Sequence, residues 1–434
     1  MRPDDLEAVG VAAGRAFAGT VDHVQATHRA VARRVFGATK RAGITGGEAD
    51  LVGRAHDGLS DGVYAAVRTI GTTAVRGLAK AATVVHPADD GRSLADRPAG
   101  DAVLGALNGA FGARFAEQGS PLELRMTARV KGHDLTLEPG ALRRAFPLPS
   151  GRVAVLVHGL CMTDAAWETG GDEDAYYARR LHRDLAYDVV SIRYNSGRRI
   201  PANGQDLATL LERLSAAWPG GIRDLALIGH SMGGLVCRSA CAAGVESGHG
   251  WLEELGDVVT LGTPHLGANL ERASATISWA AGLLPETKLF ADLLDLRSDG
   301  VLDLRDGAIL HTDRPLAVDR WPWGERGTAV PLLEGVRHHA VGVTMGRDPE
   351  HWLAAKVLGD LLVTPSSAAS RARGERRLAF EEDDVVILGG LDHFALLHDA
   401  GVYEHVRRWL RPAPALPAAG GTGDGLLDAH AVDA

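Results

Sequence analysis

Leu225-Ala-Leu-Ile-Gly-His-Ser-Met-Gly-Gly-Leu-Val-Cys-Arg238 is the stretch on which the reading of this chain turns. Its first four residues form a short apolar run of the kind that makes a buried strand, and the residues from Met232 onward read as a helix. Between them stands Gly229-His230-Ser231-Met232-Gly233, a G-x-S-x-G pattern. In a chain with 54 glycines the pattern alone is unspecific. Its flanks make it informative. A strand-to-helix turn this sharp strains the backbone at Ser231, and glycines on either side remove side chains that would clash. The Ser231 hydroxyl then projects above a sheet at the N-terminus of a helix. That end carries partial positive charge and free N–H groups, which favour a developing anion.

Upstream, Val153-Ala-Val-Leu-Val157 is a second buried strand, and it ends in His158-Gly159-Leu160-Cys161. In this arrangement the loop after the upstream strand supplies one N–H for an oxyanion and the residue after the nucleophile supplies the other. Those groups are Leu160 and Met232. His158 reads as a hydrogen-bonded loop histidine. Further buried-type strands are expected at Asp188–Ile192, Val258–Leu261, Ala340–Val343 and Val385–Leu388, with a hairpin pair at Leu122–Val130 and His133–Leu137. Amphipathic segments such as Gln205–Trp218 and Met232–Ala243 lie between strands. Such alternation predicts a mainly parallel sheet covered on both faces.

A serine nucleophile needs a base, and the chain order for this architecture is Ser, then Asp or Glu, then His. Among 18 histidines, His393 falls between the last strand and the final helix, Val402–Leu410, which is the slot for the base. His398 should already face that helix. His338, His339 and His351 come too early. No Cys or carboxylate spacing around them matches a zinc signature, so no metal is expected. Two aspartates follow the seventh strand: Asp348 in Gly-Arg-Asp-Pro and Asp360 in Leu358-Gly-Asp-Leu. Composition alone does not separate them.

Around this core, residues 1–118 carry helical periodicity (Leu6, Gly10, Ala13, Phe17, Val21; then Leu59, Val63, Val67, Ile70) and no strand pattern. A third helical stretch spans Val103–Phe115. Residues 1–120 hold 14 basic and 13 acidic side chains; membrane-surface helices usually carry a strongly basic face, so helices docked on the rest of the protein are the preferred reading. Residues 119–411 form the main domain, interrupted at 266–337 by a long apolar helical insertion suited to a cap. Its Trp279, Trp321 and Trp323 either anchor the cap by packing or line an acyl channel. Residues 412–434, rich in Ala, Pro and Gly, are expected to be disordered.

Whole-chain composition excludes several classes. The net charge of −9 over 434 residues argues against a general nucleic-acid binder. Cys161, Cys237 and Cys241 do not make a disulfide framework; the last two read as core packing on one helix. Ala273–Pro285, among the longest uncharged apolar stretches, falls short of the roughly 18 residues of a membrane span. The acidic start lacks a signal-peptide core, so a cytoplasmic location is expected.

Gly229-His-Ser-Met-Gly-Gly-Leu-Val236, Leu261-Gly-Thr-Pro-His-Leu-Gly267, Gly359-Asp-Leu-Leu-Val363 and Asp392-His-Phe-Ala-Leu-Leu397 together resemble bacterial lipases and esterases of the α/β-hydrolase superfamily. The nearest likeness is to the branch that includes GPI inositol-deacylase-like proteins. It covers about residues 120–411. The resemblance implies an α/β-hydrolase fold, with the triad acid on the Gly-Asp turn (Asp360) and the base on His-x-x-Leu-Leu (His393). Leu361 stands where the usual turn has a second glycine, so Asp348 remains the alternative acid. His265, where family members begin their cap, reads as a loop residue. The expected activity is hydrolysis of a small-molecule or lipid ester through an acyl-enzyme, without cofactor or metal. An acyltransferase or thioesterase on the same triad is the alternative, and a non-catalytic binding protein on a hydrolase fold is disfavoured by the intact serine, histidine and oxyanion loop. Nothing in the sequence specifies an oligomeric state.

Overall fold

The computed structural model describes residues 98–168, 172–267, 298–313, 330–344 and 378–411, with Gly10, Val11, Gly14, Ala18, Thr328 and Ser367. Gly10, Val11, Gly14 and Ala18 are helical. Most of the helical repeats at 6–78, most of the expected cap including Trp279, Trp321 and Trp323, as well as Asp348, His351, Asp360 and the 412–434 tail, lie outside the described residues.

Eight strands form one sheet in the order β2-β1-β4-β3-β5-β6-β7-β8. They are β1 (Thr127–Val130), β2 (His133–Asp134), β3 (Arg152–Val157), β4 (Asp188–Arg193), β5 (Asp224–His230), β6 (Leu255–Leu261), β7 (Arg337–Thr344) and β8 (Val385–Gly389). From β4 to β8 every pairing is parallel, while β1 is antiparallel to both β2 and β4. The helices in chain order are α1 (Pro98–Glu117), α2 (Pro139–Ala145), α3 (Tyr177–Leu185), α4 (Ile200–Ala217), α5 (Met232–Ser247), α6 (Asp299–Asp306) and α7 (Ala400–Trp409).

The apolar strands read as continuous runs because both faces are covered. Along β3, Val153, Val155 and Val157 join one cluster with Leu207, Leu211 and Leu214 of α4 and Leu235, Val236 and Cys237 of α5. Ala154 and Leu156 point to the opposite cluster, with Leu181 of α3 and Val402, Tyr403 and Val406 of α7. Alternate residues of one strand thus feed two cores. Each fully buried Val or Leu in them contributes roughly 1.5–3 kcal/mol relative to exposure. Cys237 and Cys241 are buried free thiols in the first cluster.

Two strands begin earlier than the apolar pattern indicates. β6 starts at Leu255 and β7 at Arg337, so Asp257, Arg337, His338 and His339 are strand residues. Their polarity is accommodated by pairing. Arg337 lies opposite Asp257 in register and donates to its carboxylate at 2.8 and 2.7 Å. His339 sits between Asp257 and Asp384, 2.9 Å from each, and stacks on Trp409 of α7. His338 bonds the Leu333 carbonyl. His338 and His339 are therefore engaged at the sheet end where β7 starts, opposite the end that carries Ser231. The hairpin is shorter than expected, pairing only Arg129 with Asp134 and Val130 with His133.

Helix α1 docks on the same body. Asn108 Nδ2 donates to the Leu122 carbonyl at 2.8 Å and Asn108 Oδ1 accepts from Leu124 N–H at 2.9 Å. Asp101 pairs with Arg193 at the end of β4. Within residues 266–337, Asp303 of α6 is fully buried and accepts from Arg199 and from the Ile200 N–H. Among the described residues no helix is long and apolar enough to cross a membrane.

Candidate active site

β5 runs straight into α5, and Ser231 is the hinge between them, with φ 53° and ψ −122°. A non-glycine residue in this region costs roughly 1–3 kcal/mol and persists only where its surroundings hold it. They do. The Ser231 N–H donates to the Leu261 carbonyl at 2.7 Å, and Thr263 Oγ1 donates to the Ser231 carbonyl at 2.9 Å. The turn also needs the glycine that follows. A β-carbon at 233 would lie 2.2 Å from the Val157 carbonyl oxygen and 2.6 Å from that of His158. The elbow and the loop after β3 are thus in backbone contact.

That contact brings Leu160 and Met232 to one end of the sheet. Met232 is the first residue of α5, where N–H groups lack an intrahelical partner. Among the described residues, neither the Leu160 N–H nor the Met232 N–H is taken up by a hydrogen bond. The loop carrying Leu160 is braced by His158, which is fully buried. Its Nδ1–H donates to the Gly159 carbonyl (2.9 Å), its Nε2 accepts from the Tyr194 N–H (3.3 Å), and its ring stacks on Tyr194 at 4.2 Å. The histidine is a brace for the loop.

His393 lies between β8 and α7, 1% exposed. Asp392 Oδ1 accepts from the Phe394 and Ala395 N–H groups, both at 2.9 Å, which fixes the turn around the histidine. From β5, His230 Nε2–H donates to the His393 carbonyl at 3.2 Å, and the two rings lie 4.8 Å apart. From β6, Gly262 (φ 61°) approaches the imidazole so closely that a β-carbon there would be 2.9 Å from Cε1 and 3.1 Å from Nδ1. Leu261, whose carbonyl holds Ser231, is the residue before Gly262. Serine elbow and imidazole therefore flank the same strand end. His398 is half-buried just before α7. His265 packs on Phe380 and bonds Thr260 Oγ1 at 3.2 Å, a loop contact. Asp360 and Asp348 lie outside the described residues. No group of His, Cys, Asp and Glu among the described residues is placed to hold a metal ion.

Residues 149–282, which contain β3 to β6 and the elbow, match the family model of the PGAP1-like alpha/beta domain. That segment is similar to the PGAP1-like alpha/beta domain, and the mostly parallel sheet that holds it has the α/β-hydrolase fold. No curated protein matches it. Among solved structures it is similar to the mature lipase BlEst2 of Bacillus licheniformis, with 19% identity, 61% of this chain and 94% of that chain covered, and a TM-score of 0.35. It is also similar to YbtT, a type II thioesterase from the yersiniabactin biosynthetic pathway, at 19% identity over 60% of this chain and 93% of that one, TM-score 0.33. A third is EstE1, a carboxylesterase cloned from a metagenomic library, at 18% identity over 61% and 82%, TM-score 0.34.

Within this α/β-hydrolase frame, two residues at the site escape sequence reasoning. His230 occupies a variable position of the G-x-S-x-G pattern, and Gly262 is one more glycine at a strand end. The available signal for both was their position, immediately before the nucleophile and immediately after β6.

The buried histidines make stability depend on pH. Burial holds the pKa of His158 and of His338 down to about 4 and depresses those of His230 and His265 well below the ordinary value. In the unfolded chain each titrates near ~6.5. Above that pH both states are neutral and nothing is gained or lost. As the pH falls from about 6.5 towards 4, the unfolded chain takes up protons that the native state refuses, and the native state loses about 3 kcal/mol for His158 alone. The melting temperature should fall steadily through this window in calorimetry, and less steeply in His158→Gln. A flat profile would contradict the buried, neutral assignment.

Proposed function

We propose that this chain hydrolyses carboxylic esters through a serine nucleophile and an acyl-enzyme. The observation that carries the proposal is the backbone of Ser231, strained and held at the junction of β5 and the N-terminus of α5. In this reading His393 takes the Ser231 proton as Oγ attacks the ester carbonyl. The N–H groups of Leu160 and Met232 bind the resulting oxyanion. His393 returns the proton to the leaving alcohol, then activates a water that releases the acid and restores Ser231. Asp360 is the proposed acid that orients His393, with Asp348 as the alternative. The chemistry needs no cofactor. The substrate is proposed to be a small-molecule or lipid ester, on the strength of the apolar cap sequence.

A fluorophosphonate probe reports on this nucleophile alone. Incubated with the purified chain, it should add to one residue, and peptide mass spectrometry should place the adduct on Ser231. An unlabelled protein, or an adduct on another serine, overturns the reading.

A further inference from the structure

Helix α1 precedes the segment that matches the family model, yet it lies against the loop that carries Leu160. The contact is made by buried charge and by close backbone approach. Asp101 accepts a hydrogen bond from Thr163 Oγ1 and pairs with Arg193 at 2.6 Å. Asp101, Thr163 and Arg193 are 3%, 4% and 6% exposed, so this is an internal fastening, screened from water. Arg193 also pairs with Asp164, one residue beyond Thr163, at 2.5 Å.

One turn apart on the helix, Gly105 and Gly109 admit the other end of the loop. A β-carbon at 109 would lie 2.3 Å from Cys161 Sγ and one at 105 would lie 3.0 Å from the Cys161 carbonyl oxygen. Cys161 itself has φ 60°, a conformation that costs an L-residue about 1 kcal/mol and has to be imposed from outside. Its N–H donates to Ser196 Oγ at 3.1 Å. The loop from Leu160 to Asp164 is thus fixed at one end by Asp101 and at the other by the surface of α1.

We infer that α1 is a positioning element of the active site, setting the Leu160 N–H through Asp101, Gly105 and Gly109. The inference rests on the proposal that this N–H serves an oxyanion. A donor displaced from the developing charge is lost to the transition state while ground-state binding persists. Substitutions in α1 that move the loop therefore act on kcat and leave KM in place.

The test uses the full-length chain with Asp101→Asn, which keeps the shape of the side chain, and Gly109→Ala, which drives a methyl into Cys161. Three quantities are measured: kcat, KM, and affinity for a trifluoromethyl ketone, whose adduct with a serine places an oxyanion where the ester would. Both variants should lose about tenfold or more in kcat and a matching factor in ketone affinity, with KM within about twofold. Adding Cys161→Ala to Gly109→Ala removes the overlap with Sγ but leaves the closer approach to the Cys161 backbone, at 3.0 and 3.1 Å, so it should recover part of both losses. Folded variants whose kcat and ketone affinity stay within about twofold of the parent chain overturn the inference, whatever their melting temperature. If Gly109→Ala does not fold, the isosteric Asp101→Asn decides alone. A parent chain unreactive towards fluorophosphonate instead brings down the ester-hydrolase reading, and the inference with it.

Discussion

Replacing Ser231 with Ala is expected to lower p-nitrophenyl ester turnover by about 10⁶-fold, and replacing His393 with Ala by about as much. The variant lacking both should be no slower than either, within about threefold, because a nucleophile and its base act as one unit. The reason is geometric. Ser231 and the His393 imidazole flank one strand end, Leu261–Gly262, and in the proposed mechanism neither performs the proton-coupled attack without the other. What remains should be the contribution of the Leu160 and Met232 N–H groups and of substrate binding. Ser231→Ala changes a single atom at a site held by backbone hydrogen bonds, so its circular dichroism and melting temperature should match the parent. Losses that multiply in the double variant would show two independent contributors and contradict the unit.

The second large effect is expected at Gly262. Substitution by Ala brings a β-carbon to 2.5 Å from Leu396 Cδ1 and 2.9 Å from His393 Cε1. Leu396 is fully buried and bound into the second core cluster, so it has little room to yield. The imidazole must therefore shift, and a displacement near 1 Å at a reacting group costs about 10²-fold in rate. The left-handed backbone adds its own cost to stability, about 1 kcal/mol. Gly248 separates the two contributions. It has φ 63° and nothing within 4 Å of its β-carbon position, so Gly248→Ala should lose stability by the backbone cost alone, with full turnover. Equal turnover in the two Ala variants would show that Gly262 does not set the position of the base.

Some of this was legible in the amino-acid order and some was not, for physical reasons. Strands buried on both faces are continuous apolar runs, so β3, β5 and the apolar parts of β4, β6, β7 and β8 stand out. The polar starts of β6 and β7 do not. Asp257, Arg337 and His339 look like loop residues until pairing across about 80 positions is known. The strain at Ser231 is a local property, set by a strand, a helix and the glycines between, and local sequence carries it. The slot of His393 follows from the order of elements. The acid is different, because a carboxylate's place beside an imidazole is a tertiary contact between distant segments. Sequence offered Asp348 and Asp360, with only the resemblance to choose between them. The role of α1 was illegible for the same reason: Asp101 acquires meaning only from Arg193 and Thr163, far along the chain.

The segment from His393 to Leu410 is held by contacts distant in sequence. His230 reaches its carbonyl across 163 positions, Tyr177 Oη donates to the Leu396 carbonyl across 219, and Arg152 Nη2 donates to the Leu410 carbonyl across 258. Contacts this distant in sequence form late, because closing long loops precedes any gain from them. As the ribosome extends the chain from its N-terminus, the serine elbow is complete some 160 residues before His393 emerges. Until α7 arrives, the apolar face formed by Ala154, Leu156, Ile228 and Val259 has no cover from it. On the proposed mechanism the same segment, from His393 through α7, supplies both the base and the cover for this face.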